Sequence, residues 1–249
     1  MSKLKNKVAI VTGASKGIGA AIAKSLASNG ASVVVNYSSD KTGADKTVAE
    51  ITRAGGKAIA VGASVAAPAG IATIFAEAKK AYGTVDILVN NAGVYKFAPL
   101  EAVTEEDFDL MYNTNVKGLL FTTKAAVAQF PSTGGVIINI GSVASDQTPP
   151  ASAIYSSTKG SVDTITRVLA KELGPKGIRV IAVNPGPIVT EGFKSAGIEG
   201  SDFEKGMIAG TPLGRIGQPD DIGSVVAFLV SDDAKWITGS LLQVAGGLR

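Results

Sequence analysis

Short apolar runs alternate with segments of helical period along almost the whole chain, and few folds accommodate that order. The apolar runs lie at Val8 to Val11, Ala31 to Asn36, Lys57 to Val61, Val85 to Val89, Val136 to Ile140, Arg179 to Val183 and Leu241 to Val244. Between them apolar residues recur every three or four positions: Ile18, Ile22 and Leu26 up to Asn29-Gly30, then Ala44, Val48 and Ile51, then Ile71, Ile74, Phe75 and Ala78, and later Val162, Ile165, Val168, Leu169 and Leu173 up to Gly174-Pro175. Strands without polar alternation are buried on both faces, so this order predicts an α/β fold with a parallel sheet covered by helices on each side. With 249 residues, 45% of them hydrophobic, the chain can bury one full core, and no linker, repeat or low-complexity tract divides it.

The sequence contains no cysteine and no histidine, which removes thiolate nucleophiles, disulfides, Ser-His-Asp triads and the usual zinc sets. Proton transfer then falls to Tyr, Lys, Asp or Glu. The 24 basic and 21 acidic residues are scattered, and the densest basic group, Lys3, Lys5 and Lys7, reads as a solvated tail, so no nucleic-acid partner is expected. No stretch approaches the roughly 18 apolar residues of a membrane span, and no signal peptide is recognised. A cytoplasmic protein without a membrane partner is the expectation.

Thr12-Gly13-Ala14-Ser15-Lys16-Gly17-Ile18-Gly19 follows the first strand and opens the first helix. A glycine-rich turn there leaves backbone N–H groups and the positive helix end open to a phosphate; a tight turn needing glycine for its backbone angles is the competing reading. The second strand ends Asn36-Tyr37-Ser38-Ser39, with no acid before Asp40 to hold a ribose 2′-hydroxyl. With Lys16 nearby, hydroxyl and amide donors suit a 2′-phosphate, which favours NADP over NAD. Asn90-Asn91-Ala92-Gly93 closes the fourth strand with small residues, where ligands approach open α/β sheets.

Ser142, Tyr155 and Lys159 fall in one segment that starts at a strand end and finishes on a helix. Tyr155 and Lys159, four apart, share one helix face at about 5 to 6 Å between Cβ atoms. A cation so close favours phenolate and is expected to draw the tyrosine below its usual pKa of about 10, towards the range of a general acid. Ser142 can hold a carbonyl oxygen. Asn115, within a long predicted helix begun by Thr104 and Asp107, either faces water or serves a buried network. The stretch from Glu191 to Gly217 is glycine-rich and lacks clean helical period apart from Phe203, Met207 and Ile208, which reads as a lid over about 188–215.

Taken in order, Thr12 to Gly19, Asn90 to Gly93, Asn115, Ser142, Tyr155 with Lys159, and Pro185-Gly186 resemble the short-chain dehydrogenase/reductase family, over Lys7 to Gly247. The resemblance implies a doubly wound, seven-stranded parallel Rossmann sheet in a single domain, a nicotinamide cofactor, which the second-strand end makes NADP(H), and commonly a homotetramer. It implies that Tyr155 is the general acid, that Lys159 binds the nicotinamide ribose and lowers the tyrosine pKa, that Ser142 holds the substrate oxygen, and that Asn115 anchors a relay water. Gly13, Ser15, Lys16, Gly17, Ile18 and Gly19 would line the phosphates and adenosine. Asn36, Tyr37 and Ser38 would face the 2′-phosphate, and Ser64 and Val65 the adenine. Asn91, Ala92 and Gly93 would meet the ribose. Ile188 and Thr190 would meet the carboxamide, and Pro185 and Gly186 would also line the cofactor. Two positions depart from the pattern: Ser64-Val65 stands where an aspartate is usual, and Ala245-Gly246-Gly247 where Asp-Gly-Gly is common.

Among family members the chain looks most like 3-oxoacyl carrier-protein reductases, carbonyl reductases and glucose dehydrogenases. Gln129 to Gly135 carries no charge with which to dock an acidic carrier protein, leaving Lys176 nearby, so a free small-molecule ketone or aldehyde is expected. Carrier-protein ketone reduction, sugar or polyol oxidation, and a nucleotide-binding regulator without turnover are the alternatives. Val143 to Ile154, Tyr95 to Phe97 and the lid, with Phe193 and Ile198 as apolar wall, would form the pocket.

Overall fold

The structure, a computed structural model, describes residues 3–195 and 197–248, the side chains of residues 194 and 195 excepted. Seven parallel strands form one sheet: β1 Val8–Val11, β2 Ser32–Tyr37, β3 Lys57–Gly62, β4 Ile87–Asn90, β5 Gly135–Ile140, β6 Ile178–Pro185 and β7 Leu241–Val244. Their order is β3-β2-β1-β4-β5-β6-β7, every neighbouring pair parallel. The expected α/β doubly wound sheet is thus the observed fold, a single Rossmann-like domain.

Successive residues of one strand point to opposite faces, so the two covering layers can be read directly from β1. Ala9 and Val11 belong to a core with Ile22 and Leu26 of α1 Gly17–Ser28, Ile51 of α2 Lys41–Arg53, and Ile222 and Val226 of α10 Pro219–Val230. Val8 and Ile10 belong to the other core, with Ile74 and Phe75 of α3 Pro68–Tyr82, Ala126 of α5 Leu119–Val127, and Ala170 and Leu173 of α7 Ala153–Leu173. At roughly 1.5 to 3 kcal/mol for each large apolar side chain fully buried, these two layers dominate the stability.

The strand order reverses between β1 and β4, and the crevice outside their carboxyl ends is where a doubly wound sheet receives a ligand. The remaining elements are α4 Glu105–Tyr112, α6 Ala144–Gln147, α8 Glu191–Ser195 and α9 Asp202–Gly210. Two expectations change here. The predicted helix from Thr104 onward is α4 and α5 joined by a π-helical segment, Asn113–Gly118. The stretch over about 188–215, expected to lack regular structure, contains α8 and α9. Ser201 caps α9 by accepting from the Glu204 N–H at 3.2 Å, a local signal stronger than the weak periodicity suggested.

Candidate active site

The glycine turn is shaped by neighbours that leave no room for side chains. Gly13 and Gly17 have φ of 63° and 56°, and a Cβ on Gly19 would lie 2.4 Å from the Asn91 amide nitrogen. That amide donates to the Thr12 and Gly13 carbonyls at 2.8 and 2.9 Å, while the Thr12 hydroxyl accepts from the N–H groups of Asn91 and Ala92 at 3.0 Å each. Thr12 and Asn91 therefore lock the ends of β1 and β4 together, a role for Thr12 that spacing alone did not reveal. Lys16, the residue before α1, makes no side-chain cap, so the first N–H groups of that helix remain open to an anion. This geometry fits a dinucleotide phosphate.

Around the second strand, the reading needs correction. Asn36 was expected to face a 2′-phosphate, but its side chain is 1% exposed and donates to the Val61 and Ala63 carbonyls at 3.1 and 2.9 Å. A buried amide must be satisfied, and the edge of β3 satisfies it. Tyr37 stays half-buried and Ser38 exposed, with Lys16. Asp40, which the strand end seemed to leave behind, returns to 3.7 Å from the Lys16 ammonium and caps α2 by accepting from the Gly43 N–H at 2.9 Å. The Val65 side chain lies in the core, while the Ser64 hydroxyl accepts from the Ala66 N–H at 3.2 Å.

The catalytic candidates meet at the carboxyl end of β5. Ser142 follows that strand, its hydroxyl accepting from the Ala144 N–H at 3.1 Å, and it stands close enough to the Tyr155 phenol to favour its ionised form. Tyr155 and Lys159 lie on one face of α7, as their spacing predicts, and the ammonium stands 5.7 Å from the phenol ring centroid. The expected effect on the tyrosine is not observed. Burial pushes the Tyr155 pKa up, and the nearby Ser142 hydroxyl only partly opposes it. Lys159 instead donates to the Ile140 carbonyl at 2.9 Å, and burial brings its own pKa down to about 8, against the pull of Asp163 one turn further on. Two groups charged or neutral in one low-dielectric space each resist ionisation, and that outweighs their proximity.

Asn115 resolves to the buried alternative. It is 2% exposed, accepts from the Val94 N–H at 2.9 Å, and donates to the Val94 carbonyl at 2.8 Å and the Thr158 hydroxyl at 3.1 Å. The π-helical segment aims it there, tying the loop after β4 to α7. Beneath it, buried polar side chains link the central strands. Asn90 donates to Asn139 and Thr123 at 2.9 Å each, Asn139 to Thr166 at 2.9 Å, and Asn184 to the Asp163 carboxylate at 3.1 Å. These partners are separated by 21 to 49 residues in the chain, and no local pattern announces them.

Pro185 ends β6, and Gly186 lies against Ala245, where an added Cβ would come within 2.8 Å of the alanine Cβ. The departure at position 245 thus sits in a contact with little free space. Ile188 is buried, and Thr190 packs its methyl near Gly17 while its hydroxyl accepts from the Phe193 N–H at 3.2 Å, holding the start of α8. Gly93 is exposed, Ile18 half-buried against the core, and Ser15 half-buried with its carbonyl accepting from Thr47 at 3.3 Å. Tyr95 and Phe97 stand beside Tyr155, at ring-centroid separations of 6.1 and 5.8 Å. Ser142, Tyr155, Lys159 and Asn115 are therefore brought together, and the glycine turn, Gly93 and Thr190 line the adjoining crevice.

A seven-stranded doubly wound sheet with this serine, tyrosine and lysine at its carboxyl edge defines a dinucleotide-dependent oxidoreductase class. The chain belongs to the short-chain dehydrogenase/reductase family: a family model described as enoyl-(acyl carrier protein) reductase matches residues 13–249. An uncharacterised oxidoreductase of Methylorubrum extorquens is 56% identical over 100% of both chains. Versicolorin reductase 1 of Aspergillus parasiticus is 39% identical, covering 98% of this chain and 97% of its own. The solved structure of the angucycline C-6 ketoreductase LanV with bound NADP superimposes with a TM-score of 0.93 at 34% identity, covering 99% of this chain and 97% of that one. The chain is thus an oxidoreductase of this family, and among its described residues no helix is long and apolar enough to cross a membrane.

Proposed function

We propose that the chain reduces the ketone or aldehyde of a small, largely apolar molecule to an alcohol with NADPH. The observation that carries this is the Tyr155 ring 5.7 Å from the ammonium of buried Lys159, with Ser142 beside the phenol. NADPH, when bound, supplies the hydride. Ser142 orients the substrate oxygen, and Tyr155 donates its phenolic proton to that oxygen as it gains charge. A raised tyrosine pKa keeps the phenol protonated at neutral pH, the state that a reductive general acid needs. Lys159 supplies positive charge below the ring and lies within reach of a ribose. Asn115 and Thr158 hold the floor of the site. Gly13 to Gly19 cradle the phosphates, with Lys16 as the cation near a 2′-phosphate, and LanV with its NADP supports that choice of cofactor.

The segment over 188–215 acts as the lid of this single NADP(H)-binding domain, and the chain assembles as a homotetramer. Support for self-association comes from exposed Phe108, Leu110, Leu120, Phe121 and Val168 on α4, α5 and α7, and from a groove of about 410 Å³ that Leu120, Phe121, Leu169 and Leu173 line between α5 and α7.

The test is NADPH and NADH oxidation with a panel of ketones, an acyl-carrier ketone and an acyl-carrier enoyl substrate. Turnover of free ketones, faster with NADPH, is expected. A clear preference for a carrier-bound substrate would move the assignment to acyl-chain reduction, and oxidation of glucose alone would move it to sugar oxidation. Light scattering after gel filtration gives the assembly.

A further inference from the structure

The loop from Val94 to Ala98 holds two aromatic rings in a way that ordinary loops do not. Val94 is fixed by both hydrogen bonds to Asn115, and the Ala98 N–H donates to the Ala151 carbonyl at 2.8 Å. Between these points Lys96 reaches α4, its ammonium 2.6 Å from the Asp107 carboxylate. Tyr95 and Phe97 meet at a centroid separation of 5.9 Å and a tilt of 51°, and each presents an edge to Tyr155, at 66° and 65°. Both rings nevertheless remain 56% and 53% exposed. Across the gap, the Tyr95 hydroxyl approaches Gly192 of α8 so closely that a Cβ there would lie 2.9 Å from it. Two aromatic faces are thus held rigid and left uncovered next to the proton donor, with the lid helix opposite. A preformed surface of this kind binds without paying for its own ordering.

We infer that this slot selects a ketone whose ring is fused to a planar aromatic ring, the aromatic ring packed against Phe97 and Tyr95 while the carbonyl reaches Ser142 and Tyr155. A flat π-face can take offset or edge contacts with both rings, which a puckered saturated ring of the same size cannot. The inference rests on the reductase reading and names the substrate class for that site.

The probes are 2-tetralone and 2-decalone, two bicyclic ketones of similar size whose carbonyl is not conjugated to a ring, assayed with NADPH on wild type, Phe97→Ala, Phe97→Leu and Phe97→Tyr. Using the ratio of kcat/KM between the two ketones within each variant cancels their intrinsic reactivity. Phe97→Ala is expected to lower the tetralone rate about tenfold more than the decalone rate, a difference of about 1.4 kcal/mol. Phe97→Leu, which restores bulk without a ring, should resemble Phe97→Ala, and Phe97→Tyr should resemble wild type. Equal losses on both ketones, or full rescue by leucine, overturn the slot while leaving the reductase reading intact. Wild type that reduces neither ketone nor any other in the panel overturns both.

Discussion

Helix α7, which carries the proposed acid, and the proposed lid over 188–215 border the same crevice, yet they are built on opposite principles. α7 buries Ile154, Lys159, Val162, Asp163, Thr166 and Ala170, and hydrogen bonds from Asn115, Asn139 and Asn184 fix it to the loop after β4 and to two strands. Across the crevice, α8 sinks Phe193 into the core, but α9 buries no residue, leaves Phe203 66% exposed, and is flanked by glycines at 197, 200 and 214 with φ of 68°, 80° and 67°. A segment with no apolar anchor opens at small free-energy cost, whereas a buried polar network loses several bonds at once. Acid catalysis needs reacting atoms held within a fraction of an ångström, and substrate entry needs the reverse, so the two demands are met by different segments.

The sharpest way to probe the rigid side is Tyr155→Phe, which removes one oxygen and leaves the ring contacts with Tyr95 and Phe97 in place. Ketone reduction is expected to fall by about 10³, within the usual range for a lost general acid, with NADPH affinity by fluorescence nearly unchanged. Retained turnover would show that the proton comes from elsewhere. Next in size, Asn115→Ala strips the Val94 N–H and carbonyl and the Thr158 hydroxyl of their partner. Urea denaturation should show a loss of about 1 to 3 kcal/mol, and a shift below half that would mean the loop after β4 is not held by this residue.

A pH series tests whether the rigid side really is low in dielectric. Lys159 titrates near 8 when folded against an ordinary 10.5, so the folded chain binds fewer protons between those values and stability rises with pH there. The stability of wild type minus that of Lys159→Met should therefore increase from pH 8 to pH 10, by at most about 1.4 kcal/mol per unit. Above that window the raised pKa of Tyr155 acts with the opposite sign, because the folded phenol keeps a proton that the unfolded one releases. A difference that stays flat would place Lys159 in contact with solvent. The smallest effect is expected on the lid: Phe203→Ser should change the urea midpoint by no more than about 0.5 kcal/mol of stability. A loss several times larger would show α9 to be anchored and erase the contrast between the two segments.

Much of this was legible beforehand. The β-branched runs located all seven strands, with edges shifted by one or two residues where a strand continues into a loop, as at Asn184 and Pro185 of β6. The glycine turn, Ser142, Tyr155 and Lys159 were found from residue type and spacing. Asn115 could not be decided, because weak helix propensity describes a solvated asparagine and a buried one equally well. That the Asn36 and Val65 side chains turn inward was not legible, because a strand end gives no sign of which side chain turns back into its neighbours.

What the sequence by itself determined is whatever depends on local geometry: the order of strands and helices, the phosphate-ready turn at a helix start, and the shared face of Tyr155 and Lys159. These follow from periods of 2 and 3.6 residues, which any short segment carries within itself. Only the tertiary structure decided that Ser142 meets the phenol, that Asp40 returns to Lys16, and that Tyr95 and Phe97 stand uncovered beside Tyr155. It also decided the direction of the tyrosine pKa, since spacing gives the distance to a cation but exclusion of water, set by packing from distant parts of the chain, determines which effect wins.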